Sequence, residues 1–311
     1  RRVLFRSAEL ARVEPAIARQ FLPAPAEGET SAEESPDPIG DHPHTPVKGL
    51  VHRYPDRALI KLTHTCPVYC RFCFRREMVG PEGDGNLSEA ELDAAFAYLA
   101  AKPGIFEVIF TGGDPLMLSA RRIRALGEKL AQLPHIRVVR WHSRVPVVSP
   151  ERLTPDLASA LNFPGKANYV AIHANHAAEF TEAAREAIAR LADRGIALLG
   201  QTVLLKGINA ESATLIALFR AMAANRITPL YLHHPDLAPG THHFRLSIAE
   251  GQALYGALRG QLSGHAIPAY VLDLPGGHGK VEIGASNLRE HNGRLEIRAP
   301  SGIWHVYPPA S

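Results

Sequence analysis

Apolar and polar positions alternate along the central part of the chain in two distinct rhythms. Short runs rich in Val, Ile and aromatic residues predict strands, and apolar residues that recur every three or four positions predict helices. The predicted strands cover residues 58–62, 107–110, 136–141, 169–172, 196–205 and 227–232. The predicted helices cover residues 88–101, 119–133, 153–161, 181–194, 210–224 and 247–262. Strand and helix therefore alternate about six times with short connections.

This alternation predicts an α/β protein built from parallel βαβ units, wound into a barrel or an open sheet. Ser88 with Glu91 and Ser247 with Glu250 form capping boxes at two helix starts, and Gly195 stands where a left-handed cap ends a helix. In sheets of this kind, chemistry gathers at the C-terminal ends of the strands. We therefore expect the functional residues to follow the predicted strands.

The two ends of the chain lack this alternation. Residues 8–22 have the apolar spacing of a helix, whereas residues 23–46 are acidic, rich in Pro and poor in large apolar side chains, which predicts a solvated linker or surface arm. Near the C-terminus, residues 295–298 and 303–307 predict a β-hairpin. These changes predict three parts: an N-terminal helix and acidic arm (1–50), a core barrel (51–265) and a C-terminal loop and hairpin (266–311).

Composition excludes several classes of protein. The 311 residues are 46% hydrophobic and 21% charged, with a net charge of +3, which excludes disordered and fibrous chains. The near balance of charge gives no reason to expect a nucleic acid or an anionic membrane as partner. No stretch approaches the roughly 20 apolar residues of a membrane helix, and the first residues do not form a signal peptide. We expect a soluble, cytoplasmic protein.

The three cysteines of the chain, Cys66, Cys70 and Cys73, lie within eight residues directly after the first barrel strand. An odd number of thiols at this spacing does not form a disulfide framework and favours a reducing compartment. Three thiolates on one loop can ligate three irons of a cubane cluster and leave the fourth iron open. A zinc site with His64 as fourth ligand, or a chance grouping, are the alternatives at this point.

A second candidate segment, residues 273–280, is a glycine-rich loop that ends in Lys280. It is not a Walker A loop, because Leu274 replaces the first Gly and Val281 replaces the Ser or Thr. It is not a dinucleotide fingerprint either, because Glu282 stands at the last Gly position. A lysine amine can form a Schiff base with a carbonyl cofactor, while a plain surface lysine on a glycine turn is the alternative.

The cysteine loop, with Phe72 directly before its last cysteine, resembles the radical S-adenosylmethionine superfamily. The turn at residues 112–115 (Gly-Gly-Asp-Pro) resembles that superfamily's second motif. The resemblance implies a partial (β/α)6 TIM-like barrel and a [4Fe–4S] cluster whose open iron binds S-adenosylmethionine. We accordingly assign to the S-adenosylmethionine site Phe72, Gly112, Gly113, Asp114, His173 and Gln201.

The span from about residue 51 to residue 280 is similar to the lysine 2,3-aminomutase family, on several separated motifs. The segment His-Arg-Tyr-Pro-Asp-Arg at residues 52–57 and the loop that ends in Lys280 both match. The resemblance implies that Lys280 carries pyridoxal 5′-phosphate. It also implies that Arg53 binds the cofactor's phosphate and Tyr54 faces its ring, and we place Arg57 and Arg144 in the same shell.

The resemblance extends to substrate recognition. Arg75 matches the arginine that holds the substrate α-carboxylate, and Asp236 and Asp273 match the two carboxylates that receive the lysine ε-ammonium. Two acids facing one cation select a diamino acid, because a substrate without the distal amine leaves both charges unpaired. Taken singly, each aspartate is equally compatible with a loop cap or a salt bridge. We interpret most of the sixteen histidines as surface residues or as residues behind the site.

The implied activity is an isomerase that interconverts L-lysine and β-lysine by amino migration, with an electron donor such as flavodoxin or ferredoxin. Alternatives within the family are a lysine aminomutase that serves elongation factor P and a relative that acts on glutamate. A non-catalytic iron–sulfur protein or a nucleic-acid-modifying protein with Arg71, Arg75 and Arg76 as a basic patch is disfavoured by the balanced charge. Longer aminomutases carry a Cys-rich C-terminal tail that binds zinc and aids assembly. No cysteine follows Cys73 here, so homo-oligomer formation by that route is in doubt.

Overall fold

Strand and helix alternate in the order that the periodicity predicts. The computed structural model of the chain describes residues 14–76, 78–79 and 85–306. The strands are β1 (Leu50–Tyr54), β2 (Arg57–Thr63), β3 (Glu107–Gly112), β4 (Val138–Ser143), β5 (Ala167–His173), β6 (Ala197–Val203), β7 (Thr228–His233), β8 (Ala269–Leu274), β9 (Gly279–Glu282), β10 (Leu288–His291), β11 (Arg294–Arg298) and β12 (Trp304–Val306). The α-helices are α1 (Pro15–Phe21), α2 (Glu89–Ala100), α3 (Ala120–Ala131), α4 (Val145–Val148), α5 (Pro155–Ala160), α6 (Glu182–Ala192), α7 (Ser212–Ala224) and α8 (Ile248–Gly256).

The main sheet has nine strands in the order β1 to β9. Strands β2 to β8 run parallel, while β1 pairs antiparallel with β2 and β9 pairs antiparallel with β8. Six βα units therefore precede β8, which confirms the predicted partial (β/α)6 barrel, and β8 extends the parallel run by one strand. Strands β10 to β12 form a separate antiparallel sheet.

The core lies between the sheet and its helices because each element buries the face that its periodicity marks. Helix α2 buries Leu92, Ala95, Phe96 and Leu99, a spacing of three and four residues that follows one side of a helix. Burying a side chain of the size of Leu or Phe stabilises a fold by roughly 1.5–3 kcal/mol. These contacts hold the strand ends, and hence the loops that follow them, in fixed positions.

The predicted helix signals are confirmed, with changes at the ends. Both capping boxes form, at the starts of α2 and α8, and Gly195 adopts a φ of +74° after α6. Helix α8 ends at Gly256 rather than at residue 262, because glycine weakens a helix and Gly260 adopts a left-handed φ of +78°. Helix α1 lies within the predicted segment 8–22, of which residues 8–13 lie outside the described residues.

The C-terminal sheet confirms the predicted hairpin. Strands β11 and β12 pair antiparallel, and residue 307 of the predicted second strand lies outside the described residues. Strand β10 pairs with the other side of β11 and was not predicted. Its sequence, Leu-Arg-Glu-His, contains a single apolar residue, so it carries no strand periodicity.

The acidic segment at residues 23–46 is not a solvated arm, and this prediction was wrong. The side chains of Glu27, Glu34 and Asp41 are only 7%, 1% and 6% exposed. Each pairs with arginines of the barrel, and these partners are more than ten residues away along the chain. Composition reports the polarity of a segment but not its distant partners, which explains the error.

The two edges of the main sheet approach each other without pairing as strands. The Tyr54 hydroxyl, at the end of β1, accepts a hydrogen bond of 2.8 Å from the backbone nitrogen of Lys280 in β9. This contact joins residues 226 positions apart in the chain. Separately, no helix in the described part of the chain combines the length and apolar character that crossing a bilayer requires.

Candidate active site

One cavity of about 450 Å³ opens where the barrel strands end. Every site residue predicted from the sequence lines it: Arg53, Tyr54, Arg57, Cys66, Cys70, Phe72, Cys73, Arg75, Gly112, Gly113, Asp114, Arg144, His173, Gln201, Asp236, Asp273 and Lys280. The residues singled out from the sequence thus share one cavity, although Arg53, Tyr54 and Arg57 lie at the β1–β2 hairpin rather than after a barrel strand. Their individual contacts divide the cavity into a cysteine end and a lysine end.

The cysteine end is built by the loop at residues 66–73, whose three thiols are free of disulfides. Burial raises the pKa of Cys66, and it raises the pKa of Cys73 to about 11, so metal binding must displace protons here. Among the described residues, no group of three or more Cys, His, Asp or Glu side chains is placed to share one metal ion. A cubane cluster takes each thiolate on a different iron, so these three thiols fit that group.

Arg144 belongs to the cysteine end, which corrects its assignment to the pyridoxal phosphate shell. Its Nη1 donates to Cys70 Sγ at 3.0 Å, and its Nη2 donates to Gln20 Oε1 at 2.7 Å and to Glu179 Oε2 at 2.5 Å. The guanidinium also lies over the ring of Phe72, 5.4 Å from its centroid. A buried guanidinium therefore contacts the cysteine loop directly and fixes Arg144 at this end of the cavity.

The glycine turn after β3 packs against the segment that leads into the cysteine loop. A Cβ on Gly112 would lie 2.4 Å from Thr63 O, and one on Gly113 would lie 2.5 Å from Thr65 O. The Gly113 nitrogen already donates to Thr63 O at 2.5 Å. The two glycines thus allow this turn to approach the backbone of Thr63 and Thr65 closely. Sequence reasoning had instead explained them by a close approach to a ligand.

Asp114 likewise makes its hydrogen bonds to other groups of the protein. Its Oδ1 accepts from Leu116 N and Ser143 Oγ, and its Oδ2 accepts from the backbone nitrogens of Arg144 and Val145, all within 3.1 Å. The carboxylate therefore ties the loop after β3 to the loop after β4. It fixes the turn that carries Arg144 and leaves no oxygen without a protein donor.

His173 and Gln201 end two neighbouring strands beside Phe72. The His173 ring lies 5.7 Å from the Phe72 ring, and its Nε2 lies 3.1 Å from Asn175 Oδ1. Burial, together with the charge of Arg144, holds the pKa of His173 well below its usual range, so the imidazole is neutral. Gln201 pairs in register with His173 across β5 and β6 and also lines the cavity.

The lysine end centres on the Lys280 side chain. Its Nζ forms an ion pair with Asp273 and lies 3.3 Å from Nδ1 of His233. Burial and the nearby Lys280 charge lower the pKa of His233, so a neutral imidazole faces the amine and the Asp273 carboxylate. Sequence reasoning left His233 among the histidines interpreted as surface residues or as residues behind the site. Its place at the end of β7 was the signal that could have found it.

The two substrate aspartates differ in their protonation. Burial would raise the pKa of Asp273, but the His233 imidazole and the Lys280 charge hold it well below its usual range. Burial, reinforced by the Asp273 charge, raises the pKa of Asp236 to about 7. Near neutral pH the pair therefore carries between one and two negative charges, and Asp236 ionises readily when a cation arrives.

Tyr54 and Arg57 form the side of the cavity next to Lys280. The Arg57 guanidinium stacks on the Tyr54 ring at 3.8 Å from its centroid, and the Tyr54 hydroxyl holds the Lys280 backbone. Both residues lie where sequence reasoning expected them, within reach of the lysine. A phenol ring and a guanidinium are groups that suit a planar, anionic cofactor.

Arg53 and Arg75 meet at a carboxylate that sequence reasoning missed. Arg53 Nη2 donates to Asp41 Oδ1 and Arg75 Nη2 donates to Asp41 Oδ2, each at 3.1 Å. Within the described chain, the buried Nε atoms of both arginines have no hydrogen-bond partner, so each retains a donor for a further anion. Donors of this kind fit a phosphate and a carboxylate.

Comparison with known proteins places this site in context. The family model of the radical SAM superfamily matches residues 60–219. The L-lysine 2,3-aminomutase of Acetoanaerobium sticklandii is 38% identical over 292 residues, covering 94% of this chain and 70% of that protein. That of Fusobacterium nucleatum is 38% identical and covers 86% and 62%. The glutamate 2,3-aminomutase of Clostridioides difficile is 34% identical and covers 81% and 59%. The chain thus spans about two thirds of the length of the curated relatives it matches.

Proposed function

Because the chain belongs to the lysine 2,3-aminomutase family of the radical SAM superfamily, we propose that it interconverts L-lysine and β-lysine by amino migration. The observation that carries this proposal is the placement of two carboxylates, Asp236 and Asp273, in the cavity that holds Lys280, with Asp273 in an ion pair with the Lys280 amine. A diamino acid substrate brings the distal cation that these carboxylates need.

The ion pair between Lys280 and Asp273 supports the substrate assignment directly. The ε-ammonium of Lys280 is chemically the same group as the distal ammonium of a lysine substrate. Asp273 binds it in the structure, and Asp236 lies in the same cavity with a carboxyl whose pKa is raised by burial and by the Asp273 charge. Once Lys280 is engaged with a cofactor, Asp273 is released to receive the substrate, and Asp236 can ionise beside it.

The residues at each end of the cavity suit different cofactors. The cysteines would hold a [4Fe–4S] cluster, and Phe72, His173 and Gln201 would line the S-adenosylmethionine site beside it. When bound, the cluster and S-adenosylmethionine supply a radical that abstracts hydrogen, and pyridoxal 5′-phosphate supplies the carbonyl that carries the migrating nitrogen. A small one-electron donor such as flavodoxin or ferredoxin would reduce the cluster.

At the lysine end, each side chain has a binding or orienting task. The Lys280 amine would attach pyridoxal 5′-phosphate, with the neutral His233 imidazole beside it. Arg53 would hold the phosphate and Tyr54 would lie against the ring, while Arg75 would hold the substrate α-carboxylate. The buried floor of the cavity excludes water, which protects reactive carbon centres.

Glutamate is the rival substrate, because one matched relative acts on it. A glutamate side chain would bring a third carboxylate to the pair formed by Asp236 and Asp273. Like charges repel, and the groups that favour the ionised forms of the pair are Lys280, Arg75 and His233. In the proposed function Lys280 holds the cofactor and Arg75 holds the substrate α-carboxylate, so neither is left to neutralise a third carboxylate. The carboxylate pair therefore favours lysine over glutamate.

The proposal is tested with the anaerobically reconstituted enzyme, dithionite and S-adenosylmethionine. L-lysine and L-glutamate are supplied in parallel, and the β-amino acid products are separated by chromatography. We expect β-lysine to accumulate and β-glutamate to stay at the level of the enzyme-free control. Conversion of glutamate alone would reassign the substrate, and conversion of neither would reject the aminomutase activity.

The raised pKa of Asp236 predicts a pH dependence for lysine turnover. The ε-ammonium of the substrate needs the ionised carboxylate, whose fraction rises about tenfold between pH 6 and pH 8 for a pKa of about 7. We therefore expect kcat/KM for lysine to rise by about that factor over this range and then level off. The Asp236→Asn variant cannot ionise, so its kcat/KM should be lower and should lack this rise.

The informative quantity is the ratio of wild-type to Asp236→Asn kcat/KM at each pH. Other ionisations of the cofactor and substrate affect both enzymes and cancel in this ratio. A ratio that stays constant from pH 6 to pH 8 would show that Asp236 does not titrate against the substrate. Asp273 titrates far below this range and does not contribute to the rise.

A further inference from the structure

Asp41 lies buried between two arginines, Arg53 and Arg75, to which the proposed function assigns different anions. Its Oδ1 accepts from Arg53 and its Oδ2 accepts from Arg75, each at 3.1 Å, and Lys61 Nζ lies 3.9 Å from Oδ2. The Asp41 side chain is 6% exposed and that of Lys61 is 5% exposed. We call these four residues the Asp41 cluster.

We propose that Asp41 is a positioning residue that orients Arg53 and Arg75 together, so that one carboxylate sets both the phosphate site and the substrate carboxylate site. The proposal rests on the function proposed above, because that function gives the two arginines their separate anions. It extends that function by giving a task to the acidic N-terminal segment, which lies outside the barrel.

The charges of the cluster support this role. Burial would raise the pKa of Asp41, but the charges of Arg75 and Lys61 lower it, so the carboxylate is ionised. Three cations facing one carboxylate leave a net charge of +2. Each arginine donates one Nη to Asp41, and its buried Nε has no hydrogen-bond partner among the described residues. Arg75 Nη1 also donates to Thr111 Oγ1 at 3.3 Å, so Asp41 is the anion that the two arginines share while each keeps a donor for a further anion.

The backbone around Asp41 is fixed to the loop that carries Lys280. A Cβ on Gly40 would lie 2.2 Å from Gly277 N, so the two loops are in direct contact. His44 Nε2 lies 3.3 Å from Gly277 O, and the Asp41 nitrogen donates to Asp37 Oδ1 at 2.8 Å. Asp41 thus has a fixed distance to the cofactor lysine, which is what a positioning group requires.

Positioning and simple electrostatics predict opposite results for Asp41→Asn. Removing the carboxylate raises the net charge of the cluster from +2 to +3, which alone would tighten the binding of a phosphate. Losing the two charge-assisted hydrogen bonds removes the anchor that both guanidinium groups share, although Arg75 keeps its 3.3 Å bond to Thr111 Oγ1, and this loss weakens binding at both sites. We expect the second effect to be the larger, because hydrogen bonds between charged groups are stronger than neutral ones and fix the orientation of the guanidinium plane.

The test uses the full chain in four forms: wild type, Asp41→Asn, Asp41→Asn with Lys61→Met, and Glu34→Gln. The double variant restores the net charge of +2 without the tether, so it also folds without a third unpaired buried cation. Glu34→Gln is the matched control, since Glu34 is a buried carboxylate of the same segment that pairs with Arg245, away from the cavity lining. Pyridoxal 5′-phosphate affinity is measured by absorbance titration, and the KM and kcat for L-lysine are measured on loaded enzyme.

We expect the Kd for pyridoxal 5′-phosphate and the KM for lysine both to rise roughly tenfold or more in Asp41→Asn and in the double variant, with a smaller change in kcat. Glu34→Gln should lower the melting temperature without moving either constant. Wild-type constants in the double variant, tighter cofactor binding in Asp41→Asn, or equal shifts in Glu34→Gln would each overturn the proposal. If the wild type binds the cofactor but produces no β-lysine, the proposed function fails while the affinity test of Asp41 still stands.

Discussion

The Lys280→Ala variant is expected to lose covalent pyridoxal 5′-phosphate and to turn over lysine at least roughly a thousandfold more slowly, the scale seen when a covalent catalytic group is removed. Lys280 lines the cavity, and its amine lies beside Asp273 and His233. The other lysine near the site, Lys61, is buried within the Asp41 cluster and does not line the cavity.

The measurement is borohydride reduction of the cofactor-loaded protein followed by peptide mass spectrometry. The wild type should carry the reduced pyridoxyl group on the peptide that contains Lys280, and the variant should carry none. Lys102→Ala, which changes an exposed lysine outside the cavity, is the control and should keep the adduct. An adduct on another lysine in the wild type would overturn the assignment of Lys280.

The Cys73→Ser variant is expected to show the complementary defect. It should lose the cluster and the cleavage of S-adenosylmethionine, again with turnover reduced roughly a thousandfold or more. Its pyridoxyl adduct at Lys280 should persist, because the two ends of the cavity are built by different loops. Serine does not replace a thiolate as an iron ligand, since its hydroxyl is a much weaker acid.

Iron and sulfide content, the visible spectrum and the release of 5′-deoxyadenosine check this result. Tyr69→Phe is a control within the same loop, because Tyr69 is 37% exposed and its hydroxyl donates only a 3.3 Å bond to Arg76 O. It should retain full iron content. Full iron content in Cys73→Ser would show that the three cysteines do not act as a set.

Local patterns in the sequence predicted those parts of the fold that depend on near neighbours. Helix caps such as Ser88 with Glu91 depend on residues only a few positions apart. The same is true of the alternation that defines β2 to β7. The cysteine loop could be found for the same reason, since its ligands lie within eight residues. Strand β10 was missed because its pairing with β11, rather than its own composition, makes it a strand.

Residue identities also located the site but not all of its contacts. Motif resemblance predicts that Arg144 belongs to the site. Its partners Gln20 and Glu179 lie 124 and 35 residues away along the chain, so the sequence does not show which end of the cavity Arg144 occupies. Asp41 was overlooked because its segment looks solvated by composition. Its partners Arg53 and Arg75, 12 and 34 residues away, are what bury it.

The contact between the two edges of the sheet implies that the two ends of the site form at different stages of folding. The three cysteines lie within eight residues of one another, whereas Lys280 is held by Tyr54 across 226 residues of chain. Closing so long a loop costs conformational entropy that is repaid only when the intervening strands have already paired. A chain that has folded halfway therefore presents its thiols before it can position its lysine.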